Sequence, residues 1–394
     1  MEERMNATAE APASEPCVLF EERPTGNGMR LGIATLNAPK TLNGLSLEMV
    51  RLLDAQLVQW AGDDGIALVV LQGAGEKAFC AGGDLHGLYR GMREHQQRDR
   101  WEGDAFADPR GNPHAEAFFA TEYRLDHRIH TYPKPVLCWG HGIVMGGGIG
   151  LMSGASHRVV SERSKLAFPE ITVGLFPDVG GSWLLHRVPQ RAGLFLALTG
   201  APLDAGDAIH AGMADVFVPE ARRAEVFDTL AAEAWTLDGA CAQLEVLLAR
   251  FAQPSAPGPL QRHAQTIAAA CAHGALEAIV DAIAAIDAGE DPWLHNAQAT
   301  LAAGSPGSAR LGYELQQRAA TLSLAAVFRL ECVVALHCAA HGDFAEGIRA
   351  LLIDKDRTPR WQPATLAAAT AGWAQAFFAA PWPADAHPLA DLGR

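Results

Sequence analysis

The sequence predicts an α/β core followed by an all-helical C-terminal region. A unit of buried strand, glycine-rich turn and helix occurs twice, at residues 67–95 and 135–155, and such repetition is typical of layered α/β proteins. From residue 222 onward the pattern becomes rich in Ala and Leu and almost wholly helical. We therefore expect three segments: a disordered lead-in at 1–17, a core at 18–230 and a helical region at 231–394.

Composition limits the classes of function. Hydrophobic residues make up 49% and charged residues 19% of the 394 residues, as in a soluble globular protein, and the net charge of −14 argues against a nucleic-acid surface. The seven cysteines form no Cys-x-x-Cys pair, which indicates reduced thiols. The start of the chain lacks the apolar core of a secretory signal and is too acidic for a typical transit peptide. We expect a cytoplasmic protein without a membrane span.

The first elements follow in order from turn signals and periodicity. Residues 18–22 and 29–36 read as a hairpin around a Pro- and Gly-containing turn. Ser46 is expected to cap a helix with apolar residues at helical spacing. A buried strand at 67–72 then leads into a glycine turn that opens a helix, with Asp84 near its start.

Further elements complete the predicted core. Residues 101–112 are polar and predict a loop. Helices are expected at 115–132, where the helix carries Glu122, and at 180–187 and 192–198; strands are expected at 136–139, 157–162 and 165–168, and residues 214–218 are expected to close the core. The helical region is interrupted at the Pro- and Gly-containing stretches 254–259 and 304–307.

The stretch 135–187 predicts the chemistry. Its glycines leave backbone N–H groups bare, and Glu170 and Asp178 lie in an otherwise apolar sequence. Bare backbone donors beside lone carboxylates suggest acyl chemistry with an oxyanion intermediate. A dehydrogenase cofactor turn is an alternative, weakened because no Tyr is followed four residues later by Lys and no Gly-x-Gly-x-x-Gly occurs. A third interpretation gives the glycines a packing role alone.

Three motifs carry a resemblance to a known family. Residues 77–84, 142–150 and 169–181 resemble the crotonase (enoyl-CoA hydratase/isomerase) superfamily. Within it, residues 176–181 and the tail at 342–361 are similar to the 3-hydroxyisobutyryl-CoA hydrolases. The resemblance implies a spiral of ββα units followed by helices.

The resemblance also implies the site. The oxyanion hole would be formed by the N–H groups of Gly83 and Gly147. Hydratases of this superfamily carry a glutamate at the position of Gly150, and their second glutamate matches Glu170. Because half of that pair is missing and Asp178 follows eight residues after Glu170, the arrangement resembles the hydrolases.

The implied reaction is hydrolysis of the thioester of 3-hydroxyisobutyryl-CoA, a step of valine breakdown. Glu170 would act as general base or as nucleophile, a choice that the sequence leaves open. Asp178, with Glu122, would hold the substrate hydroxyl or the water. The alternatives are an enoyl-CoA hydratase or isomerase, and an inactive acyl-CoA-binding member.

The expected partners are few. Coenzyme A is part of the substrate, so we expect neither a separate cofactor nor a metal, and no nucleic acid or membrane; a homo-oligomer remains open. Candidates for contacts with the coenzyme A phosphates are Lys40, His86 and Arg90.

Overall fold

The computed structural model describes residues 15–98 and 108–393. The expected lead-in therefore lies outside the described residues from 1 to 14, as does the expected polar loop from 101 to 107. In the described ranges the strands are β1 Val18–Pro24, β2 Arg30–Leu36, β3 Ile66–Gly73, β4 Ala78–Cys80, β5 Val136–Gly140, β6 Ile143–Met145, β7 His157–Val160, β8 Lys165–Ala167 and β9 Val216–Phe217.

The strands form two sheets. The larger sheet has the order β1-β2-β3-β5-β7-β9, and the smaller has the order β4-β6-β8. β1 and β2 pair antiparallel as the predicted hairpin, whereas the other pairings within both sheets are parallel. β3 and β5 are nearly continuous runs of buried apolar residues, as expected for parallel strands covered on both faces.

Each repeat of two strands and a helix contributes one strand to each sheet. β3 and β4 lead into one helix, β5 and β6 into the next, and β7 and β8 repeat the pattern. This confirms the implied spiral of ββα units. The predicted glycine turns that follow β3 and β5 each contain a further short strand, β4 and β6, which periodicity did not predict. Strands of three residues are too short to show an alternating pattern.

Helices account for most of the remaining structure. Ser46 caps the first helix as predicted, since its hydroxyl accepts a hydrogen bond from the Met49 N–H at 3.1 Å. After β9 the described residues contain helices and loops without a further strand. The α-helices are α1 Leu47–Ala61, α2 Leu85–Arg98, α3 Pro113–His130, α4 Gly147–Ser153, α5 Gly181–His186, α6 Ala192–Thr199, α7 Ala205–His210, α8 Arg223–Ala232, α9 Ala240–Ala249, α10 Pro259–Arg262, α11 Ala264–Cys271, α12 Leu276–Ala284, α13 Pro292–Ala303, α14 Pro306–Ala319, α15 Leu324–His341, α16 Asp343–Ile348 and α17 Ala371–Gln375.

The apolar core lies on both faces of the larger sheet. Along β3, Val69 and Leu71 join the larger core cluster, while Leu68 and Val70 join the smaller one, as the alternation of side chains in a strand requires. The smaller cluster is completed by apolar residues from α8, α9 and the segment between them. The larger cluster includes residues of the C-terminal helices. The domain boundary near residue 230 stays a prediction.

Helix α15 resembles a membrane span in length and composition. Its mean hydropathy is 1.5 over 18 residues, but 72% of that window is buried inside the fold. Burial of this extent is typical of a core helix. The expected absence of a membrane partner stays a prediction.

Candidate active site

A cavity of about 300 Å³ lies where the two predicted glycine turns meet α2 and α3. Its polar lining includes the five residues that the sequence singles out for chemistry, Gly83, Glu122, Gly147, Glu170 and Asp178. Most of the remaining wall is apolar, with Leu85, Leu88, Phe118, Phe119, Phe344 and Leu351 among its side chains. An apolar cavity with a few convergent polar groups is the usual form of a small-molecule site.

The two glycine turns present free backbone donors. Gly83 forms a parallel bridge with Leu45, and Gly147 is the first residue of α4. Neither N–H group donates a hydrogen bond to another residue of the described ranges. A β-carbon on Gly82 would lie 3.9 Å from the Gly146 Cα, so the turns touch. Two unpaired donors from adjacent turns are suited to binding one oxyanion.

Glu170 faces the second turn. It begins the short 3₁₀ helix Glu170–Thr172 and is 5% exposed. Its Oε1 lies 3.1 Å from the position of a β-carbon on Gly146, and its Oε2 has no hydrogen-bond partner among the described residues. Burial, and next the nearby charge of Asp178, raises the pKa of Glu170 well above its usual range. A partly unpaired buried carboxylate is suited to a base or nucleophile.

Asp178 is held by one hydrogen bond from α3. The Tyr123 hydroxyl donates to its Oδ2 at 2.7 Å, and the Asp178 side chain is buried. Burial raises the pKa of Asp178 to about 6, against the opposing effect of the Tyr123 hydrogen bond. Asp178 lines the cavity, so its carboxyl group lies within reach of a bound ligand.

Glu122 completes the set of predicted carboxylates. It lies on α3 beside Gly147, and a β-carbon on Gly147 would collide with its Oε1. Burial, and next the charge of Asp178, raises the pKa of Glu122 well above its usual range. The structure therefore brings the two glycines and three carboxylates together, while their individual roles stay predictions.

The residues predicted to contact the coenzyme A phosphates do not line this cavity. Lys40 is exposed on the 3₁₀ helix Pro39–Thr41, and His86 and Arg90 are exposed on α2. Since Leu85 and Leu88 of that helix do line the cavity, α2 borders the site. Phosphate binding by these three residues stays a prediction.

Sequence reasoning missed two residues on α3. Tyr123 is the donor to Asp178, and Asp126 is a fully buried carboxyl with no hydrogen-bond partner for either oxygen among the described residues. Burial, followed by the charge of Glu122, raises the pKa of Asp126 well above its usual range. The spacing held a signal, because residues four apart on a helix share a face and Asp126 lies four residues after Glu122.

A further missed residue comes from the C-terminal region. Glu331 of α15 is fully buried, and its Oε2 accepts a hydrogen bond from the Gly180 N–H at 2.7 Å. Its Oε1 accepts one from the Ser182 N–H at 2.9 Å. Burial raises the pKa of Glu331 to about 8, against the opposing effect of these hydrogen bonds. The sequence signal was a lone carboxylate among apolar helix positions.

The C-terminal tail contributes to the site of its own chain. Phe344 of α16 and Leu351, in the π-helical turn Arg349–Ile353, line the cavity. Both contacts are made within one chain.

Comparison with known proteins gives a consistent family. The family model described as enoyl-CoA hydratase/isomerase matches residues 31–378. A protein of Danio rerio named 3-hydroxyisobutyryl-CoA hydrolase, mitochondrial, is 38% identical over 86% of this chain and 84% of its own length. The Homo sapiens protein of the same name is 33% identical over 85% of this chain and 82% of its own length.

Solved structures give the same fold under other names. A carnitinyl-CoA dehydratase from Mycobacterium thermoresistibile superposes with a TM-score of 0.81 at 34% identity, over 96% of this chain and 100% of its own. An enoyl-CoA hydratase from Rhodobacter sphaeroides 2.4.1 gives a TM-score of 0.76 at 34% identity, over 92% of this chain and 97% of its own. These matches confirm the predicted fold class.

Proposed function

Because the chain belongs to the enoyl-CoA hydratase/isomerase family, we propose that it hydrolyses 3-hydroxyisobutyryl-CoA to 3-hydroxyisobutyrate and coenzyme A. Support comes from the curated relatives, since proteins 33–38% identical over most of this chain carry the name of this hydrolase. The reaction belongs to the breakdown of valine.

In this proposal the N–H groups of Gly83 and Gly147 bind the thioester carbonyl oxygen and stabilise the negative charge that forms on it. Glu170 either removes a proton from the attacking water or attacks the carbonyl carbon itself. In both routes the C–S bond breaks, the oxygen of water enters the acid, and a proton from water ends on the thiol of coenzyme A. Asp178, with Glu122, holds the substrate hydroxyl or the water.

The observation that favours hydrolysis over hydration is the packing around Gly150. A β-carbon there would lie 2.7 Å from Asp126 Oδ2 and 2.8 Å from Val179 Cβ, and real β-carbons do not approach other atoms so closely. No room therefore exists for a glutamate side chain at this position. The site holds Glu170 without the second acid that hydratases of the superfamily place there.

The second candidate function is hydration of an enoyl-CoA, favoured by the names of the two solved structures at 34% identity. An inactive acyl-CoA-binding protein is a third candidate, which the retention of Glu170, Asp178 and both free N–H groups argues against.

Release of free thiol from a panel of acyl-CoA thioesters tests the proposal. We expect thiol release from 3-hydroxyisobutyryl-CoA. Hydration of crotonyl-CoA, measured as the loss of its ultraviolet absorbance, should be slow or undetectable. Fast hydration without thiol release would establish the second candidate. Tight binding of the thioesters with neither reaction would establish the third.

Other expectations remain part of the proposal. The mitochondrial names of the relatives give no support to a cytoplasmic location, which stays a prediction. A homo-oligomer and the absence of a separate cofactor also stay predictions.

A further inference from the structure

The backbone that follows Asp178 is strained. Val179 has a φ of 54° and Gly180 a φ of 81°. For a β-branched residue such as valine, a left-handed conformation is a genuine outlier that the surrounding structure must enforce. The segment that orients the Asp178 side chain therefore has a backbone conformation that its residues do not favour on their own.

Glu331 supplies the enforcing contacts. Its two carboxyl oxygens accept hydrogen bonds from the N–H groups of Gly180 and Ser182, at 2.7 and 2.9 Å, so one side chain binds two donors of the turn. The N–H of Gly181, between them, donates to the Asp178 carbonyl oxygen at 2.6 Å. In its ionised form, above a pKa of about 8, the Glu331 carboxyl accepts at both oxygens without presenting a donor. On the other side, Tyr123 fixes the Asp178 carboxyl directly at 2.7 Å.

We propose that Glu331 is a positioning residue that sets the aim of Asp178, so that a helix of the C-terminal region controls the chemistry of the α/β core. Glu331 does not line the cavity and acts through the turn 178–182. The inference rests on the proposed function, in which Asp178 binds the substrate hydroxyl or the water.

The test is a double-mutant cycle between Glu331→Gln and Asp178→Asn, read as kcat/KM for 3-hydroxyisobutyryl-CoA. The amide of glutamine keeps one acceptor but places a donor against the second N–H, so we expect a roughly 10-fold to 100-fold loss in the wild-type background. In the Asp178→Asn background the same change should add little, because its target is already gone. If Glu331→Gln does not fold, Glu331→Asp takes its place in the cycle. Aspartate keeps the carboxyl group but is too short to accept hydrogen bonds from both N–H groups.

A matched control separates positioning from general stability. Asp207 is also fully buried and accepts hydrogen bonds from two consecutive backbone N–H groups, those of Leu260 and Gln261, outside the cavity. Asp207→Asn should lower the free energy of unfolding while leaving kcat/KM near the wild-type value. Equal losses from Glu331→Gln in both Asp178 backgrounds, or near-normal turnover in a folded Glu331 variant, would overturn the inference.

Hydrogen exchange distinguishes failure of this inference from failure of the proposed function. Glu331→Gln should accelerate exchange of the Gly180 and Ser182 amides whatever reaction the protein catalyses. Wild-type protein that releases no thiol would refute the proposed function. Unchanged exchange at both amides would refute the anchoring by Glu331.

Discussion

The carboxyl group of Asp126 occupies the space that a side chain at position 150 would need. Asp126 Oδ2 lies 2.7 Å from the position of a β-carbon on Gly150. Gly150 lies within α4 and does not have a positive φ. Position 150 therefore needs a glycine because of this contact and not because of the backbone conformation. The absence of the hydratase glutamate at position 150 and the presence of Asp126 on α3 therefore belong to one packing arrangement.

Gly150→Ala is expected to destabilise the fold by about 1–3 kcal/mol, because the added methyl group overpacks the contact with Asp126 and Val179. Chemical denaturation measures the change in the free energy of unfolding. Asp126→Ala should relieve part of the loss, so the double variant should be more stable than the sum of the single changes predicts. Gly274→Ala is the control, since a β-carbon there would meet nothing within 4 Å. Equal stability of both alanine variants would contradict the packing argument.

This contact shows where sequence reasoning stops. The motifs suggested Glu170 and Asp178 as partners in one site, and both line the same cavity in the structure. Asp126 was missed because its significance depends on what lies opposite it, a relation between α3 and α4 that periodicity does not contain. Glu331 was missed for the same reason, as its partners lie about 150 residues earlier in the chain.

Gly147→Pro removes one donor of the proposed oxyanion hole. Proline is tolerated at the first position of a helix, which Gly147 occupies in α4, but its β-carbon would collide with Glu122. Gly147→Ala shares the collision and keeps the N–H, so the proline variant should be slower than the alanine variant. We expect a difference of ~10²–10³ in kcat, the usual cost of one such donor. Equal rates for the two folded variants would place the carbonyl elsewhere.

Glu170→Gln keeps the size of the side chain but removes the proposed base or nucleophile. We expect kcat to fall by a factor of ~10²–10⁴, while the dissociation constant of the substrate changes little. Rapid-quench and equilibrium binding measurements separate the two effects. Exposed Glu290→Gln is a control for the loss of one negative charge. Turnover near the wild-type rate in Glu170→Gln would exclude Glu170 from either role.

The stability of the protein should depend on pH through Asp178. Its folded-state pKa of about 6 exceeds its ordinary 3.8, so the folded state binds this proton more tightly than the unfolded chain does. The stabilisation is complete below the ordinary pKa and is lost as pH rises through about 6. Asp178→Asn removes this dependence, and we expect it to be more stable than wild type at pH 8 by up to about 3 kcal/mol, the equivalent of the difference between 3.8 and about 6.

At pH 4 the two proteins should differ little, since the wild-type carboxyl is then largely protonated. Asp63→Asn is a control of opposite sign, because hydrogen bonds from Gly65 and Arg30 lower the pKa of Asp63. The contribution of Asp63 to the stability of the fold is therefore present above its ordinary pKa and lost as pH falls. Denaturation midpoints across pH measure both. A wild-type protein more stable than Asp178→Asn at pH 8 would contradict the sign for Asp178.

The fold was more predictable than the site. The buried strand β3 was predicted to within one residue at each end, and the start of the amphipathic helix α1 was predicted at its cap Ser46, because hydrophobic periodicity and the capping residue specify them. The short strands β4 and β6 were missed because they are stabilised by pairing with each other and not by local preference. The same dependence on distant partners explains why Tyr123 was not recognised as the donor to Asp178.

The role of Asp178 can be decided with two substrates. If its carboxyl group binds the 3-hydroxyl group, Asp178→Asn should lower kcat/KM far more for 3-hydroxyisobutyryl-CoA than for isobutyryl-CoA, which lacks that group. A site built around a substrate hydroxyl leaves its polar groups unpaired when the hydroxyl is absent, so wild type should prefer the hydroxylated thioester.

Measuring kcat/KM for both thioesters with wild type and Asp178→Asn completes the cycle. Tyr123→Phe provides an independent check, because it removes the hydrogen bond to Oδ2 and leaves the carboxyl in place. It should reduce the preference for the hydroxylated substrate in the same direction but by less. Equal losses on both substrates would assign Asp178 to the water or to the support of Glu170. No loss on either would make Asp178 a turn residue beside Pro177 without a part in the reaction.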